Sequence, residues 1–441
     1  MSSPPTRLRG TVGFAALLRH NRDVRLLWGG TVVSLFGDWF NTLALYRLAL
    51  DLTGSEAALG GVFLTKLIPL ALASPIAGVL ADRLDRRKLM IGADLLRAAL
   101  VLGFLFIREV DDLWLLYVLG AAQIAVSAAF TPAKNAVLPR ITGPGELLTA
   151  NALLSATWST MLAVGAAAGG PAVDAFGTDV VFVLDAATYL VSAALIARIA
   201  VPKTEAQTTA EDGVVRSVVG TAVAQVVDGW RYVRQRPEVA RVVFAKAAWG
   251  VGGGGLMFSL ALLGDSLFPT AGTTGIGILF AARGLGTGLG PVLARTLFQD
   301  ERRWPTVLAA CTVACGLGYL GVAAAGDARW AVAALVVFAH GASGANWVLS
   351  TTLLQDRARD AFRGRVIATD WLLVTMVQSV SIVVAGMLLE GGMALGTLVA
   401  GLAAVQIVAG IAWGLWAIPA ERRSRARRRA SSSSVWKGLV R

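Results

Sequence analysis

Gly78-Val79-Leu80-Ala81-Asp82-Arg83-Leu84-Asp85-Arg86-Arg87-Lys88 is a short, intensely charged stretch set between two long apolar runs. The flanking runs, residues 57–81 and 88–107, are each long enough to cross a bilayer's hydrocarbon core, which needs about 20 helical residues. Four basic side chains in one short connection mark that side of the membrane as cytoplasmic, because carrying them across is unfavourable. The stretch therefore reads as a cytoplasmic turn between two membrane-spanning helices.

The rest of the chain repeats this pattern. Of its 441 residues 56% are hydrophobic and only 15% are charged, against roughly a quarter charged in a soluble protein. Apolar runs recur at about 24–50, 57–81, 88–107, 113–133, 147–172, 178–200, 239–264, 274–297, 305–325, 329–352, 365–390 and 393–418. The expected fold class is thus all-α, a polytopic membrane protein of twelve transmembrane helices. The connections sort by charge. One side collects Arg19, Arg22 and Arg25, the Arg83–Lys88 turn, Arg231, Arg234 and Arg236, Arg302 and Arg303, and Arg357, Arg363 and Arg365. The other collects Asp51, Glu56, Glu109, Asp111, Asp112, Asp174, Asp179, Asp265, Asp327 and Glu390, with Arg108 and Arg329 the exceptions. Both termini are therefore expected in the cytoplasm, and an even number of spans fits the alternation.

A net charge of +12 would suggest nucleic acid as the partner of a soluble protein. Here the bases sit at span ends, where they set orientation and meet anionic lipid headgroups, so lipid is the expected partner and nucleic acid is not. Cys311 and Cys315 share one apolar run at i,i+4 spacing with no second pair, so they read as packing residues. Met1 to Asp23 carries bases around only a brief apolar patch, and no removable signal peptide is expected there.

The longest connection divides the spans six and six. The expected organisation is a cytoplasmic segment at 1–23, a six-helix bundle at 24–200, a cytoplasmic linker at 201–238, a second six-helix bundle at 239–418 and a basic, disordered tail at 419–441. Within the linker, Lys203 to Gly213 is polar, whereas Val214, Val215, Val218, Val219, Ala222, Val223, Val226, Val227 and Trp230 fall at helical spacing. That segment reads as an amphipathic helix on the inner leaflet. The two halves also echo each other. Gly78-Val-Leu-Ala-Asp82-Arg83 closes the second span and Gly290-Pro-Val-Leu-Ala294-Arg295 the eighth, with Ala294 at the position of Asp82.

The pattern Gly-x-x-x-Asp-Arg-x-x-Arg-Arg resembles the signature loop between the second and third spans of the major facilitator superfamily of transporters. Gly78, Asp82, Arg83, Arg86 and Arg87 match it, while Asp85 stands where the family usually has a second glycine. In that family the acid and the arginines latch cytoplasmic helix ends together in one of two alternating states; the plainer reading is a basic loop that only sets topology. Ser34-x-x-Gly37-Asp38, Pro132-Ala133, Leu138-Pro139, Glu146-Leu147-Leu148-x-Ala150-Asn151, Asn346-Trp347 and Arg363-Gly364-Arg365-Val366 resemble the branch of macrolide-efflux and enterobactin-export proteins. Two departures stand out. Gly165, Gly169, Gly170 and Pro171 place the glycines before the proline, the reverse of a pattern common in drug antiporters, and Trp114 to Phe130 lacks the arginine many of them carry in the fourth span.

Ionisable residues deep in a span are costly and are functional candidates by default. Asp38 lies about 13 residues past Arg25, roughly 20 Å along a helix, and Arg283 lies at similar depth in the eighth span. The two form the strongest candidate pair, the alternative being a purely structural ion pair. Lys66 and Asp185 fall in the outer half of their spans. Arg47 and Lys246 are near enough to span ends to snorkel. Asp94 and Asp370 are expected to partner the bases of the Arg83–Lys88 and Arg363–Arg365 loops in a cytoplasmic gate. His340 is mid-span and can titrate, although a lone histidine among small residues is more often just hydrogen-bonded. Trp39, Trp158, Trp249, Trp347 and Trp371 lie in spans one, five, seven, ten and eleven, which in the superfamily line the central cavity. Packing or interfacial tryptophan is the alternative for each. The glycine runs at 250–255 and 284–290 lie inside spans with no preceding strand and no following Lys-Ser/Thr, so they read as helix-packing surfaces rather than phosphate loops.

What the resemblance implies is a transporter, not an enzyme: two bundles rocking about a midplane cavity and exporting a bulky amphipathic organic solute through the cell membrane. No Walker sequence is present, no cofactor is expected, and proton antiport with Asp38 or His340 as the proton site is the expected energy source. A monomer is expected. The alternatives are a facilitator or importer of another solute, and a receptor or membrane-embedded enzyme; the dispersed acids speak against the last.

Overall fold

The computed structural model describes residues 13–201 and 214–439; the side chains of Asp82, Ala361 and residues 214–219 and 425–439 lie outside that description, as does the polar linker segment Lys203 to Gly213. Among the described residues every regular element is helical. After the short α1 (Phe14–His20) come α2 (Arg22–Thr53), α3 (Glu56–Arg83), α4 (Arg86–Gly103), α5 (Leu113–Ile141), α6 (Leu147–Ile196), α7 (Val214–Gln235), α8 (Pro237–Leu267), α9 (Thr273–Leu297), α10 (Trp304–Ala325), α11 (Arg329–Arg357), α12 (Arg363–Glu390) and α13 (Leu395–Leu439).

Ten of these are long and apolar enough to cross a membrane on composition alone. Two physical details bring the helices to the twelve expected spans. α6 has 50 residues and would run about 75 Å if straight, more than twice the ~30 Å hydrocarbon core. It breaks at Gly177, whose φ of 77° and ψ of 167° are open to glycine but not to a residue with a Cβ, so spans five and six join with almost no loop. α2 has the length, at 32 residues, but carries Asp38, Arg47 and Asp51 and so falls short on apolarity alone. Large apolar side chains such as Phe106, Trp114, Val408 and Leu415 stand exposed along these helices, as expected of a surface meeting lipid tails instead of water.

Contacts gather the helices into two compact units. Unit 1 is Met1–Gln225 with Leu260–Gly284, and unit 2 is Val226–Ser259 with Leu285–Arg441. The facing ends of α8 and α9 belong to unit 1 because glycines let backbones touch there. A Cβ on Gly170 would lie 2.7 Å from the Thr273 carbonyl oxygen, and one on Gly284 would lie 2.5 Å from the Ala163 nitrogen. In addition, the Asp174 carboxylate of α6 accepts from the backbone nitrogens of Thr273 and Thr274, both at 2.8 Å, and from Thr274 Oγ1 at 2.6 Å. It therefore satisfies the donors that the start of α9 leaves open.

α13 runs from Leu395 to Leu439, into the basic tail. Arginine and alanine are good helix formers, and Glu421 anchors the turn. It accepts from Arg241 Nε at 2.7 Å and takes both terminal nitrogens of Arg357, at 2.9 and 3.1 Å.

Candidate functional site

The charged turn that opens the sequence is built as a helix-to-helix corner. α3 ends at Arg83, Leu84 is extended, and Asp85 caps α4 by accepting from the Lys88 backbone nitrogen at 2.8 Å. Asp85 has φ −60° and ψ 113°, a conformation open to any residue, so the corner needs no second glycine and draws a capping bond from the acid instead. Arg86 Nε donates to the Ala81 carbonyl at 3.3 Å and Arg87 donates to the Ala197 carbonyl of α6. Arg83 is exposed and Gly78 is partly so. The side chain of Asp82 lies outside the described ones.

The expected partners of Asp94 and Asp370 are replaced. Asp94 is buried and paired with Arg97, one turn along its own helix. Asp370 is buried and paired with Lys246 at 2.6 Å. Arg365 turns instead to Asp228 at 3.3 Å, and Arg363 to Asp360 at 2.6 Å. The reason is depth: a carboxylate inside the bundle needs a cation at the same level, and loop arginines can satisfy themselves at the surface. Lys246 likewise does not snorkel. Only 2% of its side chain is exposed; its ammonium also donates to Thr351 Oγ1 at 3.0 Å and lies 4.5 Å from the Trp347 ring centre.

Two constellations emerge. In unit 1, half-buried Asp38 on α2 accepts from the Tyr189 hydroxyl of α6, which itself accepts from Gln123 Nε2 of α5 at 3.0 Å. The Arg97 guanidinium lies over the Tyr189 ring at 4.3 Å and the Phe130 ring at 5.0 Å. Asp185 is fully buried one turn before Tyr189, and Lys66 stands within the electrostatic reach of both Asp38 and Asp185. Gly37 makes this possible, since a Cβ there would collide with Thr188 and Asp185. Arg283 sits over the Phe280 ring at 5.8 Å, in an aromatic wall with Trp39, Tyr46 and Phe63. In unit 2, Trp249, Trp347 and Trp371 stack edge to face, with centroids 6.0 and 5.0 Å apart, beside the Lys246–Asp370 pair. Trp158 joins neither group and is 48% exposed. His340 is buried with Nε2 at 2.8 Å from the Tyr319 hydroxyl.

The charged participants that sequence reasoning passed over are Arg97 and, in its true place, Lys246. The signal was present as Asp94-x-x-Arg97, an i,i+3 pair inside an apolar run.

Comparison with known proteins decides the family. The Major Facilitator Superfamily profile matches residues 27–386. This chain belongs to the Major Facilitator Superfamily. It is a multi-pass membrane transporter and not an enzyme. An uncharacterized MFS-type transporter of Mycobacterium tuberculosis, Rv0037c, is 30% identical over 380 residues, 81% of this chain and 83% of its own. Macrolide efflux protein A of Streptococcus pyogenes is 36% identical over 125 residues, 28% of this chain and 31% of its own. The uncharacterized MFS-type transporter YfiS of Bacillus subtilis is 30% identical over 181 residues, 41% of this chain and 43% of its own, so the chain matches less than half the length of these last two relatives. A crystallised peptide transporter of the POT family bound to sulfate shares the fold with a TM-score of 0.73 at 14% identity, covering 96% of this chain and 99% of that one. The expected fold class and family resemblance are borne out.

Proposed function

We propose that this superfamily member is a secondary active exporter of a bulky amphipathic organic solute, working by alternating access with proton antiport in the cell membrane, both termini cytoplasmic. The observation that carries the reading is the buried polar network around Asp38 in unit 1. Asp38, Tyr189, Arg97 and Asp94 are linked by hydrogen bonds, stacking and an ion pair inside otherwise apolar helices. Intramembrane carboxylates held this way are the usual means of moving protons through a bundle. Aromatic faces within each unit support the solute class. The Trp249–Trp347–Trp371 stack and the Trp39–Phe280–Tyr46 group offer flat apolar faces with few charges, which suit an aromatic or cationic organic molecule better than a sugar or a phosphate ester. The efflux-named relatives support the outward direction.

The test of substrate class and direction is a susceptibility panel of macrolides, cationic dyes and siderophore load, compared between deletion and overexpression strains. Overexpression is expected to raise tolerance to at least one amphipathic compound and deletion to lower it. Greater sensitivity on overexpression would identify an importer and overturn the direction.

A further inference from the structure

We propose that Asp370 and the tryptophans around it form a binding site for an organic ammonium group, in which the Lys246 side chain holds the place of the solute's cation. The inference deepens the export reading and rests on it for the solute's passage through the membrane, although the binding site itself does not.

The site is assembled from three helices of unit 2. Lys246 and Trp249 stand one turn apart on α8, Trp347 and Thr351 one turn apart on α11, and Asp370 and Trp371 are neighbours near the start of α12. The Trp347 indole meets those of Trp249 and Trp371 edge to face, at interplanar angles of 72° and 73°. Exposure rises along this bent wall. Lys246 and Asp370 are buried, Trp249 and Trp347 are half-buried, and Trp371 is 43% exposed. Indole faces thus lead from the surface of the unit toward the carboxylate.

The bonding of the pair indicates which charge the site takes. The Lys246 ammonium is fully engaged: it donates to Asp370 Oδ2 at 2.6 Å and to Thr351 Oγ1 at 3.0 Å, and its third contact is the Trp347 ring at 4.5 Å. Asp370 is engaged through one oxygen only. Its Oδ1 is buried and has no hydrogen bond among the described residues, whereas a carboxylate oxygen taken out of water calls for a donor. The pair therefore has an acceptor to spare and no donor. A protonated amine offers an N–H to Oδ1 and a positive charge to the indole faces. An anion finds neither, since Lys246 is already committed and the ring faces are negative. Lys246 itself displays the preference, being an ammonium held at once by this carboxylate and this ring. Because its charge already balances Asp370, an arriving ammonium competes with it. Selection for cations is therefore modest in the wild type and stronger once Lys246 is removed.

The experiment is equilibrium dialysis of the full chain in phosphatidylcholine nanodiscs, with empty nanodiscs as the blank. Three probes share one ring: 1-naphthylmethylammonium, 1-naphthylmethanol and 1-naphthoate. The wild type is expected to bind the ammonium about fivefold more tightly than the alcohol, and the carboxylate least. D370N should bring the ammonium-to-alcohol ratio close to one, W371L should narrow it, and K246M should widen it to about tenfold or more. K246M leaves Asp370 unpaired, so the ammonium should raise its melting midpoint more than that of the wild type, and the other two probes should not. W371L alters an exposed side chain and keeps the test open if the buried variants fail to fold. Wild type that binds none of the probes, binds ammonium and alcohol equally, or prefers naphthoate overturns the proposal, as does a ratio unchanged in W371L and in folded D370N. No transport is measured, so these outcomes are separate from the export reading. Ammonium-selective binding by a chain that exports nothing would refute export and leave the site standing; export with no ammonium preference would do the reverse.

Discussion

At the scale of single residues the recurring theme is a charge kept inside helices by a partner at its own depth. Lys246 and Asp370, with side chains 2% and 1% exposed, are the clearest case. Removing one member of a buried pair leaves the other uncompensated, at a cost of about 3–5 kcal/mol, whereas replacing both by apolar groups of similar size is often close to neutral. K246M and D370N are therefore each expected to lower the thermal midpoint of the detergent-solubilised protein strongly, and K246M/D370L to recover most of that loss. A double variant as unstable as the sum of the singles would argue against a compensated pair. The sequence made the depth of Asp38 and Asp370 readable by counting from the arginines at span ends. It did not make partners readable, because which helices adjoin is decided by tertiary packing. Asp94 was accordingly matched to loop arginines when its cation lay three residues away.

At the scale of elements, glycine and capping acids decide where helices meet and bend. Twelve runs could be counted because apolar length is a property of the chain alone. The Gly177 break and the continuation of α13 could not, since the first depends on one backbone dihedral pair and the second on Glu421 finding Arg241 and Arg357. The same physics makes two predictions. A Cβ on Gly277 would sit 2.5 Å from the Ala166 carbonyl oxygen, so G277A is expected to destabilise by about 1–3 kcal/mol through overpacking, seen as a lower melting midpoint. D174A removes the three hydrogen bonds at the start of α9 and is expected to cost about 1 kcal/mol, with D174N recovering part of it. Equal melting of D174A and wild type would show that the cap contributes nothing.

For the whole molecule, membership of the superfamily frames the proposed cycle, in which the Asp38 network would be exposed alternately to the two sides. Orientation is tested first: reporter fusions after Thr204 and after Ser424 should both report the cytoplasm, and an external signal at either would break the twelve-span arrangement. The family was legible from one turn, Gly78 to Lys88, because its charges and spacing match the family's signature loop. The proposed coupling site was only half legible. Asp38 stood out by depth, while Tyr189, Arg97 and Asp185 gain meaning only once α2, α4 and α6 are packed. His340, the competing proton site by sequence, is buried against Tyr319 with a hydrogen bond of 2.8 Å. The most direct test of the central claim is dye accumulation by everted membrane vesicles under an imposed lumen-acid pH gradient, with ethidium as the probe. Wild type and H340Q should accumulate ethidium only when the gradient is present, and D38N should lose gradient-driven accumulation while keeping wild-type membrane levels. Full gradient-driven accumulation by D38N, or its loss in H340Q alone, would contradict the account.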